Sequence, residues 1–158
     1  ITIPGYPSTE PLVEGGGRAF ENIQKTCPAY LEGISEIHRT EPYCYSQMIA
    51  GRDAATFGEE EQLATGTAAW TFVNISQYIL GIQPSLDGLC INPCVPADFG
   101  DFTITRRFRG AVYHIEVKNP GHLEKGVSSL IVDGETIEGN VVPFVEGKKE
   151  YHVTAVMG

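Results

Sequence analysis

The sequence lacks any apolar run of about 20 residues, the length that a membrane span requires. Its first residues, ITIPGYPSTEP, also lack the charged and apolar regions of a signal peptide. No internal repeat or low-complexity segment occurs. With 42% hydrophobic and 20% charged residues among 158, the composition is that of an ordinary globular chain that can bury a core. We therefore expect a globular protein with no membrane partner.

Positive charge is scarce. Eleven Lys and Arg residues stand against 20 Asp and Glu, which gives a formal net charge of −9. This balance argues against a nucleic-acid partner, because phosphate backbones are bound by basic surfaces. It does not exclude a small anion, which a few backbone N–H groups can bind inside an acidic protein.

Cysteines are few, and they do not form a metal-binding pattern. The four are Cys27, Cys44, Cys90 and Cys94. Cys90 and Cys94 form one close pair, with three residues between them, but no second close pair or Cys/His cluster completes a zinc site. The four histidines, His38, His114, His122 and His152, are scattered without a metal partner at motif spacing. We expect buried free thiols in a reducing, cytoplasmic compartment, and no metal.

The first half of the chain has helical periodicity. Apolar residues recur at helical spacing over 18–32, where Pro28 closes the run, and 42–50 fits another short helix. A third helix is predicted over 67–80, with Gly81 as its C-cap. Its expected apolar stripe consists of Trp70, Phe72, Val73, Ile75, Ile79 and Leu80. The prolines and Gly15-Gly16-Gly17 of the first seventeen residues predict irregular structure there.

After Gly81 the apolar period becomes two. Phe102, Ile104 and Phe108 share one parity, and a turn or bulge is predicted at Gly110. Tyr113, Ile115 and Val117 then form a second apolar set. Further strands are predicted over 127–132, 135–138, 141–145 and 150–156, with Asp133-Gly134 as a hairpin turn. Helices followed by strands predict α and β structure in separate parts, the second a small antiparallel β-sandwich, with a boundary near 81–88.

One segment suggests chemistry. Thr65 and Gly66 precede the predicted third helix, where free N–H groups, a hydroxyl and the helix dipole can bind phosphate. Gly66 would allow an anion to approach the backbone closely. A plain N-cap threonine is the commoner reading of this spacing.

Other polar residues are less informative. Carboxylates for acid–base chemistry are available at Glu41, Asp53, Glu59, Glu60 and Glu61, but a run such as the last three is usually a solvated loop. The strand arginines Arg106, Arg107 and Arg109 suit either a partner or the wet face of a sheet.

Several blocks of sequence together resemble a known family. They are HRTEPYCYSQMIAGRDA (38–54), TGTAAW (65–70), YILGIQPSLDGL (78–89), INPCVPADF (91–99) and TRRFRGAVYHIEVKNP (105–120). These segments resemble cellobiose phosphorylase, of the inverting disaccharide phosphorylases of the glycoside-hydrolase type. The resemblance runs from about Arg18 to Gly158.

The resemblance implies that 1–84 is the end of an (α/α)-barrel catalytic domain and 85–158 a C-terminal β-sandwich. It implies reversible phosphorolysis of cellobiose, or a related β-linked disaccharide, to α-glucose 1-phosphate and glucose with inversion. By position, Thr65 and Gly66 match the family's phosphate-binding pair, and Gln47 matches a glutamine that contacts the donor glucose. Inorganic phosphate is a co-substrate, no cofactor is needed, and the whole enzyme is expected to be a homodimer.

The chain also departs from the family pattern. The general-acid aspartate has no counterpart and is expected upstream, Ile1 stands where a phosphate-contacting histidine is expected, and 62–64 replaces a Ser-Trp-Leu approach to Thr65. We therefore expect a C-terminal piece of a larger enzyme, inactive by itself. The alternatives are a structural or carbohydrate-binding β-sandwich without catalysis, and a hydrolase with this fold. Tyr113 and Tyr151 are more easily read as core or cross-strand residues than as a sugar platform.

Overall fold

The computed structural model describes residues 15–37, 39, 44–46, 50–56 and 67–158. We call the described residues up to Leu80 the helical part and residues 82–158 the β part. The helices are α1 (Gly16–Thr26), 3-10 turns at Pro28–Tyr30, Glu32–Ile34 and Ala97–Phe99, α2 (Thr67–Val73) and a π-helix (Asn74–Ile79). The strands are β1 (Ile82–Pro84), β2 (Gly88–Ile91), β3 (Phe102–Phe108), β4 (Ala111–Lys118), β5 (Ser129–Val132), β6 (Glu135–Ile137), β7 (Val141–Pro143) and β8 (Glu150–Val156).

Helix α1 begins inside the glycine run, which corrects the prediction of irregular structure up to residue 17. Gly16 and Gly17 form its first two positions. The reason is tertiary, because a Cβ on Gly16 would lie 2.2 Å from the carbonyl oxygen of Val95. Only glycine lets the start of the helix lie against the backbone of the β part, while Ala19 and Ile23 bury the inner face of the helix. The predicted end before Pro28 is confirmed.

The predicted helix over 67–80 is also confirmed, as α2 followed directly by the π-helix. Gly81 ends the helix with φ 72°, a left-handed conformation that glycine adopts without strain. The predicted stripe is partly wrong. Ile79 is buried, but Trp70 and Phe72 are 60% and 64% exposed.

The helix predicted over 42–50 is wrong for residues 44–46 and 50, which take no regular secondary structure. The other residues of that segment lie outside the described ranges. A hydroxyl side chain such as that of Ser46 competes with helical backbone bonding, so an amphipathic spacing this short is weak evidence.

The β part contains two sheets. A three-stranded sheet has the order β1-β2-β7, and a five-stranded sheet has the order β3-β4-β8-β5-β6. All pairs are antiparallel except β4 with β8, which run parallel, so the prediction of a wholly antiparallel structure is wrong. The parallel pair arises because β8, the last strand in the chain, inserts between the β3–β4 and β5–β6 hairpins.

The strands predicted after residue 100 are confirmed in number and order. Both hairpin turns have two central residues at positive φ. In the β3–β4 turn these are Arg109 at 48° and Gly110 at 77°, and in the β5–β6 turn they are Asp133 at 51° and Gly134 at 90°. This is the type I′ pattern that matches the twist of the flanking strands. Strands β1 and β2 were not predicted from the sequence, because they have only three and four residues and contain Pro84 and Gly88.

The inner faces of both sheets and helix α1 contribute to one hydrophobic cluster. Its members include Ala19, Ile23, Ile79, Leu89, Ile91, Ile115, Leu130, Val142 and Val153. Tyr113 and Tyr151 are buried within it with their rings stacked, centroids 4.3 Å apart and 2° between planes. The core or cross-strand role predicted for both tyrosines is confirmed, because they are buried and are also register partners on β4 and β8. The barrel, the sandwich and the boundary near 81–88 stay predictions.

Candidate functional site

The predicted phosphate and sugar residues, Thr65, Gly66 and Gln47, lie outside the described residues. The nearest described neighbours are Thr67, which begins α2, and Ser46. The helix that begins at Thr67 is attached to the β part, and the segment that contains Ser46 is attached to helix α1.

The helix that follows Thr65 and Gly66 is fixed at its far end to the β part. The backbone N–H of Cys94 donates to the carbonyl of Ile79 at 2.8 Å, and that of Asn92 donates to Gly81 at 2.8 Å. The Gln83 side chain adds a 2.9 Å bond to the carbonyl of Gln77. A helix of thirteen residues is on the order of 20 Å long, so Thr67 stands about that far from the anchored end.

The residues just before Gln47 are tied to helix α1. Burial raises the pKa of the Tyr45 hydroxyl to about 12, with a further contribution from its hydrogen bond to Cys27. Cys27 is the C-cap of α1, and its backbone N–H donates to Ile23 at 2.8 Å. The segment that leads to Gln47 is thus attached to a helix that packs on the core.

The predicted carboxylates are not assembled into an acid–base pair among the described residues. Asp53 is exposed in a turn, and Glu41 and residues 59–61 lie outside the described ranges. The expectation that the general acid is absent from this chain stays a prediction.

The cysteines are free, and they differ in burial. Cys94 is buried, as predicted, and burial raises the pKa of its thiol. Cys90 is half-buried with a pKa raised by the same cause, and Cys27 is half-buried. Cys44 is exposed, so the prediction of buried thiols is wrong for this residue.

Of the three arginines predicted on this strand, Arg109 makes structural contacts. Arg109 donates to the carbonyls of Leu86 and Ser85 at 3.0 and 3.3 Å, and its guanidinium lies over the rings of Phe108 and Phe144. It joins the β3–β4 turn to the β1–β2 turn. Arg107 is exposed on the outer face of β3.

Sequence reasoning missed a groove on the outer face of the five-stranded sheet. Its volume is about 400 Å³, and its polar lining comes from β3, β4 and β8: Thr103, Thr105, His114, Glu116, His152 and Thr154. His114 and His152 are register partners in the parallel β4–β8 pair. The sequence signal was their outward parity on two predicted strands, but the pairing of those strands was not predictable.

The described residues contain neither a metal-binding cluster nor a membrane-spanning helix. No group of three or more His, Cys, Asp or Glu side chains is arranged to hold a metal ion. None of the helices in those ranges combines the length and the apolar character needed to cross a bilayer.

The chain was compared with known proteins. Residues 8–81 match the model of the glycosyl hydrolase 94 superfamily, catalytic domain. Residues 8–81 belong to the glycosyl hydrolase 94 superfamily. The matched segment contains α1, α2 and the predicted residues Gln47, Thr65 and Gly66.

Similarity to curated relatives extends through the β part. The chain is 39% identical over 144 residues, 90% of its length, to an N,N'-diacetylchitobiose phosphorylase of Vibrio proteolyticus. It is 38% identical over 145 residues, also 90% of the chain, to the protein of that name from Vibrio furnissii. A solabiose phosphorylase of Paenibacillus borealis is 33% identical over 129 residues, 81% of the chain. The resemblance to phosphorylases of the glycoside-hydrolase type is thereby confirmed.

The chain spans less than a fifth of the length of these relatives. The matched residues are 18% of the length of each Vibrio phosphorylase and 17% of the solabiose phosphorylase.

Proposed function

We propose that this chain is part of an enzyme that cleaves a disaccharide with inorganic phosphate. The observation that carries the proposal is the 39% identity to a disaccharide phosphorylase over 90% of the chain. The family match over residues 8–81 places the similarity partly within a catalytic domain. Activity, substrates and partners are proposed for the whole protein that contains the chain.

In the proposed reaction, an aspartic acid outside this chain protonates the glycosidic oxygen. Phosphate attacks the anomeric carbon from the opposite face, so the C–O bond to the leaving sugar breaks as the C–O bond to phosphate forms. The products are an α-sugar 1-phosphate, whose anomeric carbon has inverted from β to α, and the free leaving sugar. Phosphate is itself the nucleophile, so the second carboxylate of an inverting hydrolase is not needed.

Thr65 and Gly66 are proposed to bind phosphate. They precede a helix whose N-terminal N–H groups and dipole favour an anion, in a chain that is otherwise strongly acidic. The anchoring of that helix to Asn92 and Cys94 supports the proposal, because a phosphate site needs a backbone that holds its position.

Gln47 is proposed to contact the donor sugar, since its amide can both donate to and accept from sugar hydroxyls. The attachment of Tyr45 to Cys27 supports a fixed position for this segment. For the substrate we propose cellobiose or a related β-linked disaccharide. We also propose a cytoplasmic location and a homodimer for the whole protein.

The first test measures phosphate-dependent release of sugar 1-phosphate by the whole protein. Cellobiose, N,N'-diacetylchitobiose and solabiose are offered separately, with and without phosphate. Turnover that requires phosphate supports the proposal, and the preferred sugar decides the substrate. Cleavage that proceeds equally well in water alone would instead identify a hydrolase. The 158-residue chain alone should show no turnover, because we propose that the general acid lies outside it.

A second test addresses the phosphate pair in the whole protein. Thr65→Ala should raise the KM for phosphate more than tenfold and leave the KM for the disaccharide nearly unchanged. Thr67→Ala is the matched control, because it removes the same hydroxyl two residues further along. Equal effects of the two substitutions would refute the assignment of Thr65.

A further inference from the structure

The outer groove of the five-stranded sheet contains two imidazoles that face each other. His114 and His152 are register partners on β4 and β8, and their ring centroids lie 5.2 Å apart with 16° between planes. Neighbouring strands are about 4.8 Å apart, so side chains at paired positions on one face are held at that separation. The backbone pairing of β4 and β8 therefore fixes the separation of the two imidazoles, without a contribution from a loop.

Both histidines are held in place by neighbouring carboxylates. The Nε2 atom of His114 lies 2.9 Å from Oε1 of Glu150, which directs the other ring nitrogen, Nδ1, away from that contact. At His152 the backbone is fixed on both sides by Asp133, whose Oδ1 accepts the His152 N–H at 2.9 Å and whose N–H donates to the His152 carbonyl at 2.7 Å. The carboxylate on one ring nitrogen of His114 is the usual environment of an imidazole that binds a metal through the other, whereas Asp133 fixes only the backbone of His152.

We propose that His114 and His152 form a two-imidazole chelate for a borderline divalent cation of the Ni²⁺, Cu²⁺ and Zn²⁺ class. Each ring supplies one nitrogen lone pair, and the ion exchanges two of its water ligands for them, without a redox change. Metal–nitrogen bonds of about 2.0–2.1 Å put the two nitrogens about 3–4 Å apart. With ring centroids at 5.2 Å, rotation of the His152 ring about χ2 brings them to that separation while His114 keeps its contact with Glu150. Imidazole donors select these cations over Mg²⁺ and Ca²⁺.

The rest of the groove completes the coordination sphere with water. Its volume of about 400 Å³ leaves room for a hydrated ion above the sheet. Glu116 lines the groove, and its carboxylate is paired with Lys118 at 2.6 Å, so it adds little net negative charge. The protein thus supplies two ligands, and water fills the remaining coordination positions of the ion. This agrees with the absence of a three-ligand group among the described residues.

The test titrates the 158-residue chain with Ni²⁺ by calorimetry, in a Cys44→Ser background that removes the exposed thiol. One ion per chain is expected. His114→Asn and His152→Asn should each weaken binding by more than tenfold, because a single imidazole remains, and Glu150→Gln should weaken it less. His122→Asn and His38→Asn are the matched controls and should bind as the background does.

Two outcomes would overturn the proposal. Binding that survives loss of His114 or His152 would place the ion elsewhere, and equal loss in the His122→Asn control would mean nonspecific binding. A far-UV spectrum of each variant verifies that it is folded. Imidazole NMR with Zn²⁺ gives an independent reading in the background protein itself, where only the His114 and His152 resonances should shift. Shifts at neither ring would also refute the chelate.

Discussion

The helical and β parts differ in what covers their apolar side chains. In the β part, the inward-facing residues of β4 alternate regularly with half-buried ones, and the buried set closes around Tyr113 and Tyr151. In the helical part, Trp70, Phe72 and Ile37 are each more than half exposed. In the β part, the inward-facing apolar side chains are thus buried by other residues of this chain. The helical part instead exposes apolar side chains of the kind that are usually covered by a further part of the protein or by a partner.

The largest effect is expected at the centre of the β part. Tyr151→Ala removes a fully buried ring from the stack with Tyr113 and should lower the free energy of unfolding by about 3–5 kcal/mol. Tyr151→Phe keeps the ring and loses only the hydroxyl that accepts the Val145 N–H at 2.8 Å, so it should cost about 1 kcal/mol. Urea unfolding followed by far-UV circular dichroism measures both. Equal losses would show that the ring is not the source of the stability.

The next test targets the junction between the parts. Gly16→Ala places a Cβ 2.2 Å from the Val95 carbonyl oxygen, and overpacking of this kind costs about 1–3 kcal/mol. Gly17→Ala is the matched control, because its Cβ meets only the flexible end of Glu124 at 3.1 Å and alanine favours the helix. Trp70, the single tryptophan, lies in the helical part, so its fluorescence reports that part during unfolding. A harmless Gly16→Ala would contradict the close docking of α1.

A third test asks whether the exposed side chains of the helical part cause association. The chain should self-associate in sedimentation experiments, and Trp70→Ser should weaken that association roughly tenfold, the equivalent of removing one large apolar contact. Leu86→Ser is the control from the β part, where Leu86 is 90% exposed at a turn, and it should change little. A sharply monomeric wild-type chain would contradict the difference between the two parts.

The smallest effect is expected at Asp133. The hydrogen bond from Lys148 is the main cause that lowers the pKa of this carboxyl. A lowered folded-state pKa means that the stabilisation is complete above the unfolded-state pKa of about 3.9 and is lost as the pH falls through the folded-state value. Asp133→Asn should therefore cost about 0.5–1 kcal/mol at pH 7 and flatten the decline below about pH 4.

The measurement is urea unfolding at neutral pH and through the acid range. Asparagine keeps the left-handed turn and an acceptor for the His152 N–H, so the substitution isolates the charge. Glu146→Gln removes an exposed charge from a nearby loop and should leave the pH profile unchanged. A profile that is equally steep in wild type and Asp133→Asn would show that this ion pair contributes nothing.

Local patterns predicted most of the strands, because alternation and the Arg109-Gly110 and Asp133-Gly134 turns are encoded over a few residues. The features that escaped prediction depend on distant residues. The helical conformation at Gly16 depends on Val95, and the neighbouring positions of His114 and His152 depend on a pairing across more than 30 residues. The phosphate and sugar residues were assigned by resemblance alone, because a Thr-Gly step before a helix is also an ordinary cap.

The position of β8 in the sheet has a consequence for synthesis. Because the chain is made from its N-terminus, β3–β4 and β5–β6 emerge as two separate hairpins, and the edges of β4 and β5 that later pair with β8 are still open. They become one sheet only when Glu150–Val156 arrives and pairs with β4 on one side and β5 on the other. The sheet is therefore completed by its last strand, after the slow closure of long loops. Ribosomes that stop before Glu150 would release a chain with two open β edges and no central strand.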